Sequence, residues 1–164
     1  MIILGIDPGT TAIGYALLDS AHSVRIIEAG LVRIKSKDQK ERIQELYTGL
    51  TDIISKYTPD VCAIERLFFV KNIKTGIAVA ESRGVILLTA AQANLSIYEY
   101  TPLEIKQTVT GTGNADKSQV EKMIRLTMPE AKNMKARDDV FDAIAVGLTC
   151  HLKEFKSYSK VEQR

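Results

Sequence analysis

Two short apolar runs end on an acid: IILGID at Ile2–Asp7 and DVCAIE at Asp60–Glu65. Between them, Lys35–Tyr57 carries Ile43, Leu46, Tyr47, Leu50, Ile53 and Ile54 at spacings of three and four, which is the period of a helix, and Pro59 stops it. A strand that follows a helix in this way pairs parallel with the first strand. That pairing narrows the chain to α/β folds. It also sends Asp7 and Glu65 out of the same carboxyl edge of the sheet, where open α/β sheets place their ligands.

The rest of the chain fits the same scheme. Thr11–Asp19 and Val24–Arg33 alternate or run apolar between turn residues, so with Ile2–Asp7 they predict an antiparallel meander. Asn72–Asn94 reads as a long Ala-rich helix in which Gly76 and Gly84 allow close packing, and Ser96–Tyr100 as a short strand. Pro102–Val109 and Lys117–Thr127 read as short helices joined by the loop TGTGNAD. Asp138–Glu154 reads as a helix with Val140, Phe141, Ile144, Ala145, Leu148 and Leu152 on its apolar side. The order predicts an α/β fold, a mixed sheet of about five strands flanked by helices. One domain over residues 1–155 suits a chain of 164 residues, with the polar, basic stretch 156–164 expected to fray.

Composition removes several classes of function. With 45% apolar and 26% charged residues the chain is of the globular kind. No apolar run reaches the ~18 residues that span a bilayer, and the N-terminus carries no basic segment with a cleavage site, so a cytoplasmic protein without membrane contact is expected. Cys62 and Cys150 sit in apolar surroundings and read as reduced, buried small hydrophobes. The two histidines, His22 and His151, have no partners at metal spacing. Zinc and a His-dependent nucleophile are therefore unfavoured, and any metal is held by oxygen, as magnesium or manganese is.

Two more acids join Asp7 and Glu65. Asp139 and Asp142 in DDVFD are spaced i, i+3 and share one helix face, and Asp142 interrupts the apolar turn VFDAIAV. Singly each has a plain structural reading. Asp7 is a turn residue before Pro-Gly, Asp138 or Asp139 a helix N-cap, and Glu65 a partner of Arg66 or a lysine. Together they place four acids where apolar runs meet a sheet edge or an inner helix face. Like charges 4 Å apart repel by roughly 4 kcal/mol at an effective dielectric near 20, a large part of the ~5–15 kcal/mol that holds a domain folded. Such a cluster persists by sharing protons or binding cations, and two hard dications form the clamp used in phosphodiester hydrolysis.

The blocks GIDPGTTAIGYA, AIERLFFVKN, EYTPLEIKQTVTGTGNADKSQV and DDVFDAIAVGL occur in order and resemble the RuvC family of Holliday junction resolvases over Met1 to about Leu152. The resemblance implies an RNase H-like fold and a homodimer. It implies a magnesium-dependent endonuclease that resolves four-way DNA junctions in recombination and repair, with two Mg2+ per subunit, Mn2+ able to substitute, and the RuvA–RuvB branch-migration complex as partner. By motif, Asp7, Glu65, Asp139 and Asp142 are the catalytic metal ligands. Asp138 stands beside Asp139 as an alternative, and Asp139 is preferred because Asp138 is placed to cap the helix. Phe68 matches an aromatic that stacks on junction bases, and Lys106 and Lys117 match two basic residues near the site.

Charge distribution agrees with a DNA partner. Without the four acids, 16 acidic residues face 22 basic ones, a residual +6 (22 − 16). Arg66, Lys71 and Lys74 form a strip free of acids from Arg66 to Ala80, a candidate for phosphate contact, although such runs are more often a solvated face. The Ala- and Gly-rich face of Asn72–Asn94 is the expected dimer contact. Other readings remain open at this level: a related nuclease acting on RNA–DNA hybrid or ribosomal RNA precursor, a phosphate-binding fragment of an actin-like ATPase that uses DPGTT, or an inactive adaptor.

Overall fold

The central strand of the sheet is the first one in the chain. A computed structural model describes residues 1–21, 23–66 and 73–155, without the side chain of Lys74. The strands are β1 (Ile2–Asp7), β2 (Ala12–Asp19), β3 (Arg25–Arg33), β4 (Val61–Glu65) and β5 (Ser96–Tyr100). The helices are α1 (Gln39–Tyr57), α2 (Ile73–Gln92), α3 (Pro102–Thr110), α4 (Lys117–Thr127) and α5 (Asp138–Cys150). The strands lie in the order β3-β2-β1-β4-β5. β1 pairs antiparallel with β2 and parallel with β4, and β4 pairs parallel with β5. The mixed five-stranded sheet expected from the sequence is the one observed.

Strand alternation separates two cores. Ile3, Ala16, Leu18, Val61 and Ala63 face one side, where α5 packs with α3 and α4. Leu4, Ile6, Ile13, Leu17, Cys62 and Ile64 face the other, with Leu46 and Leu50 of α1 and Ile86 and Ala90 of α2. Burying each such side chain contributes about 1.5–3 kcal/mol. Cys62 and Cys150 are buried free thiols, as expected.

Two boundaries differ from the sequence expectation by more than two residues. α1 begins at Gln39 rather than Lys35, because Asp38 caps it by accepting from the Glu41 amide while Glu45 accepts from the amides of Lys35 and Ser36. α5 ends at Cys150, and His151–Phe155 continues it as a wider π turn. That turn is held by Tyr100 donating to Glu154 (3.1 Å), by Lys153 paired with Glu104 (2.8 Å) and by the edge of Phe155 against Tyr98. The expected frayed stretch 156–164 lies outside the described residues. Among those described, no helix is long and apolar enough to cross a membrane.

Candidate active site

Parallel pairing in the register Ile6↔Ile64 puts Asp7 and Glu65 one step further along, side by side at the carboxyl edge. Their odd-numbered positions share the sheet face of Ile3, Val61 and Ala63, the face covered by α5. The two carboxyl groups lie close enough for each to perturb the ionisation of the other. Burial, then the charges of Glu65, Asp142 and Asp139, push the Asp7 carboxyl up to about 9. Glu65 is also raised, first by burial, while its bond to Asp7 and the charges of Lys117 and Lys106 pull it back.

α5 brings in the other two acids because the sheet has no side chain in its way. A Cβ on Gly5 would strike the Ala143 carbonyl oxygen and lie 2.7 Å from the Gly147 amide nitrogen. A Cβ on Gly14, the β2 residue paired with Asp7, would overlap the carbonyl oxygen of Asp139. The helix therefore rests directly on β1 and β2, with its N-terminal turn above the end of β1. Asp142 enters a cleft of about 310 Å³ lined by Asp7, Glu65, Lys106 and Lys117 and walled by Pro102, Ile105, Val120, Ala145 and Val146.

The acids on α5 are held by cations of the chain itself. Lys117 Nζ donates to Asp142 Oδ2 at 2.6 Å, and Arg137 Nη2 lies 3.1 Å from Asp139 Oδ2. Burial raises the Asp142 pKa, and the Lys117 pair opposes that. Asp139 does not line the cleft, although its charge reaches Asp7 and Asp142. Among the described residues, no three His, Cys, Asp or Glu side chains already stand as a metal cage. The donor set nevertheless fits a hard dication. It is all carboxylate, and Asp7 and Glu65 are both pushed towards the protonated form, first by burial, a cost that a bound dication would offset.

Other expected site residues separate into groups. Lys106 and Lys117 line the cleft. Arg66 instead turns to Glu99, with Nε 3.5 Å from Oε2, and Glu99 also accepts from Arg83. Glu65 therefore meets Asp7, not Arg66. Phe68, Lys71 and the Lys74 side chain lie outside the described residues. The capping role expected for Asp138 is corrected by the structure. Arg137 is the N-cap of α5 without a side-chain capping bond, and Asp138 is the first residue inside the helix.

Sequence reasoning missed three supports of the site. Gly5 and Gly14 carried a signal, since a glycine inside a strand marks close approach of another backbone. Arg42 carried none. From α1 its Nη2 donates to the Thr10 carbonyl at 2.6 Å and so pins the turn that follows Asp7.

A family model described as crossover junction endodeoxyribonuclease RuvC matches residues 3–151. The chain is 49% identical to the RuvC crossover junction endodeoxyribonuclease of Caldicellulosiruptor saccharolyticus over 155 residues, 93% of this chain and 92% of the relative. It is 44% identical to that of Halothermothrix orenii over 158 residues, 95% and 94% of the two chains. Among solved structures, T. thermophilus RuvC in complex with Holliday junction substrate superposes with a TM-score of 0.83 at 27% identity, covering 93% of each chain.

Proposed function

The chain belongs to the RuvC family of crossover junction endodeoxyribonucleases, and from that premise we propose that it resolves four-way DNA junctions by hydrolysing a phosphodiester in the cleft between β1, β4 and α5. Its fold is RNase H-like. The observation that carries the reading is the meeting of Asp7 and Glu65, 58 positions apart in sequence (65 − 7), side by side in a cleft that also holds Asp142, Lys106 and Lys117.

Asp7, Glu65, Asp139 and Asp142 would hold two Mg2+ per subunit, with Mn2+ able to replace them. Such ions supply the positive charge that makes water a nucleophile at neutral pH and steadies a leaving oxygen. The protein's own groups do the rest. Asp7 and Glu65 would ligate as carboxylates, their charge repulsion relieved by the bound ions. Lys106 and Lys117 are point charges suited to the phosphate oxygens of the bound strand. Ile105, Pro102 and Val120 keep bulk water from one side of the cleft, which strengthens every charge interaction within it. The catalytic unit is residues 1–155, working in the cytoplasm.

Two such sites related by a two-fold axis suit a junction that is itself two-fold. The proposed contact is α2. It leaves Ile73, Ile77 and Leu88 respectively 78%, 57% and 55% exposed, and a side chain at Gly84 would meet nothing within 4 Å. A helix with large apolar residues on its outer face is a place for a partner helix. A RuvA–RuvB complex would deliver the junction. Phe68, Arg66, Lys71 and Lys74 remain proposed DNA contacts, with Arg66 having to leave Glu99 to make one.

A cleavage assay on a synthetic four-way junction, a linear duplex and an RNA–DNA hybrid, each with and without Mg2+, tests the reading. Paired, symmetric nicks in the junction alone support it. Preferential cutting of the hybrid overturns it.

A further inference from the structure

Of the four proposed metal ligands, Asp139 is the one that does not line the cleft, and the pair it makes gives the reason. Arg137 precedes the first turn of α5, makes no capping bond with its side chain, and sets its guanidinium 3.1 Å from Asp139 Oδ2. The pair is open to solvent, with the Arg137 side chain 61% exposed and that of Asp139 29% exposed. Resting on the reading of Asp139 as a metal ligand, we propose that Arg137 is a positioning residue for metal loading: it holds Asp139 aside in the DNA-free protein and releases it when a DNA phosphate takes the guanidinium.

Three considerations carry this. An exposed ion pair is a weak latch, worth about 0.2–1 kcal/mol, so it opens readily when a better anion arrives. The guanidinium fork matches a phosphate in two-point geometry, so a DNA phosphate is a competent replacement for the Asp139 carboxylate. A dication at Asp139 also repels Arg137 and so frees its guanidinium for another anion, such as a DNA phosphate. Lys117 stands in the same relation to Asp142 across the cleft, at 2.6 Å. The consequence is coupling: DNA raises the affinity for metal at Asp139, and metal raises the affinity for DNA by the same factor.

The test uses the whole chain and two binding measurements. Mg2+ is titrated calorimetrically without DNA into the wild type, Arg137→Gln and Arg137→Lys. Removing the positive charge should tighten Mg2+ binding about two- to five-fold, and Arg137→Lys should remain near the wild type. Separately, the salt dependence of four-way junction binding is compared in Ca2+ and in chelator. For the wild type the slope should be steeper in Ca2+ by about one, the signature of one added phosphate contact, and Arg137→Gln should lose the difference. The wild-type comparison needs no variant to fold. Equal or weaker Mg2+ binding by a folded Arg137→Gln overturns the proposal, as does a wild-type slope unchanged by Ca2+. A wild type that does not prefer a junction to duplex counts instead against the resolvase reading.

Discussion

Gly14 lies beneath the backbone of Asp139, so close that a methyl group at Gly14 would occupy the space of the Asp139 carbonyl oxygen. Gly14 is also the residue paired with Asp7 across β1 and β2. One absent side chain thus sets the height at which α5 brings its acids over the acid of β1. Gly14→Ala should lift the helix, cost about 1–3 kcal/mol as overpacking does, and lower cleavage by more than the stability loss explains. Urea denaturation and a junction-cleavage assay on the same preparation check both parts.

The Asp7 carboxyl predicts an unusual pH response. Its folded pKa is raised from 3.8 to about 9, so the folded state binds the proton more tightly than the unfolded one. The contribution of this group is fully present below about pH 4 and is lost as pH rises through about 9. In chelator, Asp7→Asn should therefore melt above the wild type at pH 7 to 9, and the gap should close towards pH 4. Mg2+ should raise the wild-type melting temperature and leave that of Asp7→Asn much less changed. Melting curves at three pH values, with chelator or Mg2+, decide the matter.

Lys106 and Lys117 predict a change in salt dependence. Each neutralises one phosphate in the proposed complex, so Lys106→Gln should weaken junction binding on every sequence and reduce the salt slope by about one. Lys117→Gln should do the same and also free Asp142. A slope unchanged in Lys106→Gln would remove that residue from the DNA interface.

The outer face of α2 predicts oligomeric state. Ile77→Glu places a charge on an exposed apolar stripe of α2, outside the buried cores of the subunit. It should convert a dimer to a monomer by light scattering while leaving the far-ultraviolet circular dichroism unchanged. A variant that stays dimeric would move the contact elsewhere.

Much of this was legible in the sequence because two periods were clean. Ile2–Asp7 and Val61–Glu65 are short apolar runs whose ends follow from their last residue, and the spacing in Ile43–Ile54 leaves no strand reading. Parallel pairing then brings Asp7 beside Glu65 without further information. What stayed hidden depends on contacts between distant segments. Arg66 follows Glu65 directly, yet its partner is Glu99 on β5. Lys117 and Asp142 are 25 positions apart and meet only because α4 packs on α5. The Asp138 cap failed for a local reason: the helix begins one residue earlier than a capping aspartate needs, with Arg137 in the extended conformation.

The account depends on acids from β1, β4 and α5 acting together on a phosphodiester through bound dications, and Asp7→Asn tests that most directly. The substitution keeps the shape and removes the charge. With Mg2+ and a synthetic four-way junction, the variant should bind within a few-fold of the wild type and cleave at least about 10³-fold more slowly. Cleavage by Asp7→Asn at the wild-type rate would contradict the account.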